Sequence, residues 1–312
     1  MRDTYSTMRF DVLALPTAAD TLRLTTVDFV SAREGFVGGV AGTLFATTDG
    51  GTTWTRRSQP ALGTLNKLLF TSPTAGWAGT STGLYRTSTG GQSWQAVPTF
   101  NALGGRMAVE DVQFASPLVG YVVGSGGGIC KTTNGGSTWT ALQNRIDKLY
   151  AFRAVSFSSP DSGTVVGDAR SFWTTTNGGQ SWDFFDSNVG GGGGTTYDVL
   201  RANRRSYQLV GPDGFQDYQG SNFPNGPDRT FGWPMYGLAR FGGRGGPIVA
   251  VGERTLVRYH PAWSLSSSTP WVNVHQPDGT SFRATYYAAD FAEAGIFYAV
   301  GARGVIHRFY YE

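Results

Sequence analysis

Cysteine, histidine and long apolar runs are scarce in this chain of 312 residues. Cys130 is the single cysteine, so an internal disulfide is excluded and a small buried residue is its expected role. The three histidines, at positions 260, 275 and 307, lack metal-ligand spacing. No run of 18 apolar residues occurs, which excludes a membrane-spanning helix. We therefore expect no metal, no cofactor and no membrane insertion.

Charge is also sparse, with 15% charged residues and a formal net charge of +3. The basic residues are scattered along the chain, so nucleic acid is not an expected partner. The first 20 residues have neither a basic start nor an apolar stretch, so no intact signal peptide is predicted.

Four copies of one short pattern, each ending in tryptophan, stand out against this background. The tryptophans are 40, 45 and 43 residues apart, which is the period of a four-stranded propeller blade. The copies are Thr47–Trp54, Thr87–Trp94, Thr132–Trp139 and Thr175–Trp182.

Each copy predicts a tight turn between two strands, because Gly tolerates positive φ and an Asx side chain bonds to nearby backbone N–H groups. We expect the boxes to be structural, with tryptophans packed between blades, and not catalytic or calcium sites. The predicted structural box residues are Asp49, Trp54, Trp94, Asn134, Trp139, Asn177 and Trp182. Thr89 replaces the Asx residue in the second copy and should weaken that turn without removing the blade.

A glycine at the end of a predicted second strand carries the same register through the whole chain. These glycines are Gly38, Gly79, Gly124, Gly167, Gly211, Gly252 and Gly301. They predict an all-β fold, a seven-bladed β-propeller of four-stranded blades in a single domain over residues 1–312. The approximate blades are 21–58, 62–98, 106–143, 149–186, 195–233, 236–275 and 281–312 plus 7–15.

The two ends of the chain complement each other. The last unit has three predicted strands and then stops, while an unassigned strand lies at Thr7–Leu15. We expect this N-terminal segment, residues 1–15, to pair with Val305–Tyr311 and close the ring, which protects sheet edges.

The pattern Ser/Thr-x-Asp/Asn-x-Gly-x-Ser/Thr-Trp resembles the Asp box, or BNR repeat, of sialidases, sortilin and xyloglucan-cleaving hydrolases. The longer phrase Phe29–Gly39 followed by a box is most similar to the photosystem II stability/assembly factor family and related bacterial propellers. This resemblance implies a propeller that holds another protein, such as a membrane-complex subunit, without chemistry of its own. It also implies a periplasmic, lumenal or secreted location with the leader absent from this chain, although a cytoplasmic one stays open.

Binding residues are expected on the face opposite the box turns, where the loops vary most. Charged loop residues would form the rim of a partner-binding surface, and aromatic residues would anchor the partner. The charged residues are Asp168, Arg170, Asp213, Glu253, Arg254 and Arg303, and the aromatic ones are Phe215, Tyr218, Phe223 and Trp233. A solvated loop surface without a partner is an alternative reading of the same charges.

Catalysis is not expected. The chain lacks the arginine motif of sialidases, and a glycosidase needs two carboxyl groups at a defined separation that the sequence cannot supply. The candidates for such a pair are Asp168, Asp213, Glu253 and Asp290. Two alternatives stay open, a carbohydrate-binding or glycoside-hydrolase-like propeller and a structural component of a larger surface assembly.

Overall fold

The computed structural model describes ten ranges of the chain. They are 8–16, 21–99, 105–142, 150–184, 194–203, 206–219, 233–241, 246–259, 272–274 and 282–311. Within these ranges no helix is long and apolar enough to cross a bilayer. The same ranges contain no group of three metal-binding side chains.

Antiparallel strands make up nearly all of the regular structure. The N-terminal strand is β1 (Met8–Val12). The first three sheets are β2 (Leu24–Phe29), β3 (Gly35–Gly39), β4 (Leu44–Thr47) and β5 (Thr55–Arg56); β6 (Leu65–Phe70), β7 (Gly76–Thr80), β8 (Gly83–Thr87) and β9 (Gln95–Val97); and β10 (Val109–Phe114), β11 (Gly120–Gly124), β12 (Gly128–Thr132) and β13 (Thr140–Ala141).

The remaining strands continue this order. They are β14 (Phe152–Ser159), β15 (Ser162–Gly167), β16 (Phe172–Thr175) and β17 (Asp183–Phe184); β18 (Asp198–Asn203), β19 (Ser206–Gly211) and β20 (Gly214–Gln219); β21 (Met235–Arg240), β22 (Ile248–Gly252), β23 (Thr255–Tyr259) and β24 (Val272–Asn273); and β25 (Tyr286–Glu293), β26 (Ile296–Gly301) and β27 (Ile306–Tyr311). Short 3₁₀ turns lie at Val40–Gly42, Pro60–Leu62 and Asp168–Arg170.

The prediction of seven four-stranded blades is wrong. The structure is an all-β propeller with six four-stranded blades, and the described part of unit 195–233 is a three-stranded sheet, β18–β20. The glycine register counts second strands and says nothing about fourth strands. This unit also lacks the box turn that joins the third strand to the fourth in the early blades. Residues 220–232, which follow β20, lie outside the described ranges.

The N-terminal strand completes the last sheet, as expected. β1 pairs antiparallel with β27 from Met8 opposite Tyr311 to Val12 opposite His307. The sheet order is β1-β27-β26-β25, and β25 in turn contacts β2 of the first sheet. The ring is therefore closed by pairing residues from the two ends of the chain.

Close backbone approach explains the repeated glycine. A Cβ atom on Gly124 would lie 1.9 Å from the carbonyl oxygen of Ala108, and one on Gly301 would lie 1.9 Å from that of Thr285. Both carbonyls belong to the segment that leads into the first strand of the same sheet. The same approach to a carbonyl oxygen explains Gly167, Gly211 and Gly252, where a side chain would displace that segment, whereas a Cβ atom on Gly38 or Gly79 would meet side chains first.

Stacked aromatic rings fill several seams between neighbouring sheets. A ring on the second strand of one sheet lies against a phenylalanine near the end of the next sheet's first strand. The stacked pairs are Phe36–Phe70 at 3.5 Å, Tyr121–Phe157 at 3.6 Å and Tyr298–Phe29 at 3.7 Å between centroids. This packing gives each seam a large buried apolar contact.

The loops lie on two distinct faces. On the box face, the box turns bond to the turns between first and second strands, for example Gly50 N to Arg33 O at 2.8 Å. On the opposite face, which we call the loop face, the turns between second and third strands meet the segments that enter the first strands. One such bond joins Ala302 N to Thr285 O at 3.0 Å.

Candidate functional site at the channel mouth

A cavity of about 420 Å³ opens where the first strands of the sheets begin, on the loop face. Each of the seven sheets contributes residues to its wall. The polar and aromatic lining residues are Arg23, Thr25, Asn66, Lys67, Glu110, Asp111, Arg153, Tyr197, Asp198, Tyr236 and Tyr287. We call this cavity the channel mouth.

A β-bulge aims one side chain from each four-stranded blade into the channel mouth. In all six blades the pairing of the first and second strands skips one residue near the start of the first strand. The skipped residues, which we call the bulge residues, are Thr25, Asn66, Glu110, Arg153, Tyr236 and Tyr287. All six line the cavity, which fits the general role of bulges in re-aiming a side chain.

On one half of the channel mouth, the polar side chains satisfy one another. Arg153 lies 3.1 Å from the Glu110 carboxylate and donates two bonds to Asp168, at 3.0 and 3.2 Å. Asn66 donates through Nδ2 to the carbonyl of Val109 at 2.9 Å. Burial raises the pKa of Glu110, and the positive charge of Arg153 partly opposes that effect.

On the other half, aromatic rings form the wall. The tyrosine arc consists of Tyr197, Tyr236 and Tyr287, with successive ring centroids 5.4 Å apart. The arc ends at Arg23, whose guanidinium carbon lies 4.2 Å from the centre of the Tyr287 ring. The Tyr236 hydroxyl donates to Glu253 at 2.9 Å, and burial followed by this bond raises the pKa of Tyr236 to about 12. All three rings are partly exposed.

Below the mouth, aspartates connect neighbouring first strands. The Asp28 carboxylate accepts from Phe70 N at 2.5 Å, that of Asp111 from Val155 N at 2.9 Å and that of Asp198 from Leu238 N at 2.8 Å. Asp290 accepts in the same way from Phe29 N at 2.7 Å. These bonds lie across four seams of the ring.

One ammonium group faces these four carboxyl groups. Lys67 Nζ lies 3.7 Å from Asp111, and that charge, with smaller contributions from Asp198, Asp28 and Asp290, raises the pKa of Lys67. Burial, with repulsion from Asp290, raises the pKa of Asp28 to about 8. Burial also raises the pKa values of Asp198 and Asp290, each to about 6.

Two of the predicted binding residues share an unusual backbone conformation. Arg254 and Arg303 are exposed, have φ of 53° and 56°, and lie in the turns between second and third strands of adjacent blades. Alanines adopt the same left-handed conformation at the corresponding turn position, Ala41 with φ of 53° and Ala169 with φ of 50°. Left-handed backbone costs a residue with a side chain about 1 kcal/mol or more, so the arginines raise the conformational free energy of the two turns.

Two other predicted residues, Asp168 and Glu253, bind side chains that line the channel mouth. Asp168 is bound by Arg153 and also accepts from Thr195 Oγ1 at 3.2 Å. Glu253 is partly buried and accepts the Tyr236 hydroxyl. Both carboxylates therefore hold residues of the channel mouth in place.

The remaining predicted residues are spread over the face or lie beyond what is described. Asp213 is exposed in the turn between β19 and β20, and Trp233 is 58% exposed just before β21. Phe215 is 1% exposed in the core, so its predicted role as an anchor is wrong. Phe223, His260 and His275 lie outside the described residues, as do the side chains of Arg170 and Tyr218.

The sequence reasoning missed the bulge residues and the tyrosine arc. Their signal is weak, since each bulge residue is the second residue of its first strand and the six positions hold five different residue types. Five of the first-strand positions could have been marked from the glycine register, because Gly124, Gly167, Gly211, Gly252 and Gly301 contact the segment just before them. Which side chain enters the channel depends on the bulge, and a simple alternating strand pattern does not predict it.

The box turns lie on the box face, away from the channel mouth. Thr47 Oγ1 accepts from Gly51 N at 2.8 Å, and Asp49 Oδ1 accepts from Thr53 N at 2.9 Å. Asn134 and Asn177 accept the corresponding backbone N–H bonds, each at 3.0 Å. In the second box Thr89 Oγ1 takes this role at 3.0 Å, and β8 and β9 still pair.

Comparison with protein families matches the N-terminal three-fifths of the chain. The model of the family described as Photosynthesis system II assembly factor YCF48 matches residues 3–109 and 102–189. No curated protein sequence matches the chain.

Several solved structures share the fold at low sequence identity. A structure of YCF48 bound to D1 peptide has 18% identity and a TM-score of 0.70, covering 97% of this chain and 95% of that one. YCF48 from Cyanidioschyzon merolae has 19% identity and a TM-score of 0.67, covering 96% and 98%. A catalytically inactive virginiamycin B lyase from Staphylococcus aureus with quinupristin has 11% identity and a TM-score of 0.71, covering 98% and 100%. The fold therefore occurs in both assembly factors and enzymes and does not decide between them.

Proposed function

Because this chain belongs to the Photosynthesis system II assembly factor YCF48 family, we propose that it is a protein-binding assembly factor without a reaction of its own. The partner contacts the loop face. A similar structure, YCF48, is bound to a D1 peptide, which supports a protein segment as the ligand here. The partner that we propose is a membrane-complex subunit. An extracytoplasmic location belongs to the same proposal.

The observation that carries this proposal is the pair of arginines in left-handed turns. Arg254 and Arg303 are exposed, and within the described ranges neither has an acidic partner. Their turns would be less strained with glycine, as at Gly126 and Gly127 with φ of 64° each. A guanidinium kept in a strained turn and left unpaired is suited to charge-assisted contacts with a partner.

Among the described residues, we propose Trp233 as the exposed aromatic anchor and Asp213 as part of the contact area. Arg170 and Phe223 stay contacts predicted from the sequence. Asp168 and Glu253 act through the residues that they hold, Arg153 and Tyr236. A glycan ligand stays an untested alternative, and within the described residues three of its four candidate carboxyl groups, on Asp168, Glu253 and Asp290, already accept hydrogen bonds.

The test is an affinity pull-down from native extract that includes the membrane fraction. Wild type is compared with an Arg170→Ala/Arg254→Ala/Arg303→Ala variant. Alanine keeps the turns at 254 and 303, since Ala41 and Ala169 already have this conformation. The matched control is Arg33→Ala/Arg86→Ala, which removes two exposed arginines from elsewhere on the molecule.

We expect a partner that wild type and the control retain and the loop-face variant loses. A partner lost equally by both variants would contradict the assignment to the loop face. If the wild type retains no protein under any condition, the protein-binding proposal fails and glycan arrays follow.

A further inference from the structure

We propose that the channel mouth receives one aromatic side chain and an adjacent carboxylate from an extended segment of the partner. This inference deepens the proposed function by naming the chemistry of the bound segment. It rests on the cavity and the bulge residues, whereas the proposed function rests on Arg254 and Arg303.

On the polar half of the channel mouth, the charged and amide side chains already have partners. Glu110, Arg153 and Asp168 form one bonded group, Lys67 pairs with Asp111, and Asn66 bonds to the next blade. A polar group that is already satisfied gains little from a ligand that must displace its partner. The polar half of the cavity is therefore structural.

The tyrosine arc and Arg23 are the groups of the channel mouth that can contact a ligand. The faces of the tyrosine arc are partly exposed, and Arg23 is exposed with no carboxylate partner within the described ranges. Aromatic rings bind a further ring by offset or edge contacts, with centroids about 4.5–7 Å apart. An unpaired guanidinium binds a carboxylate with two parallel hydrogen bonds. Together these groups fit an aromatic ring with a carboxylate beside it.

The volume of the channel mouth and the charges along its wall limit the shape and the orientation of the ligand. A volume of about 420 Å³ holds a side chain and a few water molecules but no folded element, so the ligand enters as an extended segment. Glu253 is bonded to Tyr236, the middle ring of the arc, and Arg23 covers Tyr287 at the end of the arc. A carboxylate is repelled by Glu253 and attracted by Arg23, so the ligand is oriented along the arc with its acid at Arg23.

The test uses small probes and the full chain, with saturation-transfer NMR titrations of N-acetylphenylalanine, its neutral amide and phenethylamine. We expect the acid to bind at least about tenfold more tightly than the amide, at millimolar affinity. Arg23→Gln should abolish that preference and Tyr236→Leu should weaken the binding of both the acid and the amide, while Arg33→Gln on the box face should leave both unchanged. Thermal melts of each variant confirm that it is folded.

Two results would overturn the inference. Preference for phenethylamine would mean that the carboxyl groups below the mouth attract a cation instead. Absence of binding by the acid at about 10 mM would mean that the mouth takes no aromatic carboxylate. Either result leaves the pull-down with the loop-face arginine variant interpretable, so failure here is distinct from failure of the proposed function.

Discussion

The indole nitrogens of the four box tryptophans share an unusual environment. Trp54, Trp94, Trp139 and Trp182 each bury this N–H, and none of the residues that the structure describes accepts a hydrogen bond from it. Each indole also meets a phenylalanine ring nearly at right angles, with centroids 5.8–6.4 Å apart. Such edge-to-face contacts are a favourable arrangement of aromatic rings. The indole rings are therefore held in place by packing and not by hydrogen bonds from their N–H groups.

Trp139→Ala is expected to lower the free energy of unfolding by about 3–5 kcal/mol, because it leaves a cavity beside Trp77 and Phe114. Trp233→Ala is the matched control, since this tryptophan is 58% exposed and should change stability by less than about 0.5 kcal/mol. Urea denaturation measures both. Equal effects of the two substitutions would contradict the packing role of the box tryptophan.

Asp49 links the first box turn to acid stability. Hydrogen bonds from Thr53, and then from Thr47, lower the pKa of Asp49 to about 2. A lowered carboxyl pKa stabilises the fold above the unfolded value of 3.8, and that stabilisation is lost as the pH falls through about 2. Asp49→Asn should keep the turn, as Asn134 and Asn177 do, and lose less stability between pH 7 and about pH 2.5 than wild type. Thermal melts at both pH values test this, and an equal loss would contradict it.

At the scale of elements, β1 is the strand on which ring closure depends. Phe10 packs at 5.1 Å from Phe282, and Asp11 pairs with Arg308 on β27. Leu13 N donates to Ile306 O at 2.9 Å just past the strand. The strand therefore contributes backbone pairing, an aromatic contact and an ion pair to the last sheet.

Deletion of residues 1–15 should open the ring and lower the melting temperature sharply, because β27 becomes an unpaired edge. Phe10→Ala should have a smaller effect in the same direction. Val12→Ser is the control within the strand, since Val12 is 70% exposed. Differential scanning calorimetry gives the answer, and a deletion variant that melts within a degree or two of wild type would refute the closure by β1.

His307 makes the same sheet sensitive to acid. It is 8% exposed among aromatic rings, and its Nδ1 lies 2.6 Å from the Tyr286 hydroxyl. Burial lowers the pKa of His307 to about 4, so the unfolded chain binds a proton from about pH 6.5 downward while the folded chain does not. Stability from this group is lost as the pH falls from 6.5 to 4, by up to about 3 kcal/mol.

His307→Gln keeps an acceptor for the Tyr286 hydroxyl and removes the titratable imidazole. We expect the loss of stability between pH 7 and about pH 4.5 to be smaller in this variant than in wild type. Hydrogen exchange of the β1 amides at the two pH values localises the effect. If stability falls equally with pH in the variant and in wild type, His307 does not control the loss of stability in acid.

At the scale of the whole molecule, the protonation of the aspartates below the channel mouth affects the stability of the ring. Asp28, Asp198 and Asp290 have raised pKa values, so the folded chain keeps protons that the unfolded chain releases near 3.8. This stabilisation is complete in acid and is lost as the pH rises through about 6 and then about 8. Lys67 is the cation that faces them, and Glu110 and Arg153 lie above on the neighbouring strands.

The melting temperature should therefore decline from about pH 6 to about pH 8, and Asp28→Asn should reduce this decline by removing the group of highest pKa. Asparagine retains an oxygen for the Phe70 N–H bond. Asp213→Asn, at an exposed turn, is the control for a change of net charge. A decline that is the same in both variants would place its origin outside the channel.

Local chemistry explains which parts of the fold were predictable. The box turns follow from Thr, Asx and Gly within eight residues, and the closing strand follows from an unpaired segment at each end. The number of strands in unit 195–233 was not predictable, because a glycine beside a carbonyl marks a second strand alone. Arg254 and Arg303 were identified from charge in loops, whereas Tyr236 and Tyr287 resemble ordinary strand residues.

The sequence by itself determined the all-β propeller, the box turns and the pairing of its two ends, since each depends on short-range turn chemistry or on strands left without a neighbour. The tertiary structure alone decided what lines the channel. Six bulges turn one residue of each blade inward, and neighbours hundreds of residues apart, such as Arg23 and Tyr287, meet there because the ring closes. Contacts between such distant residues have no local signature, so the folded ring defines the candidate site.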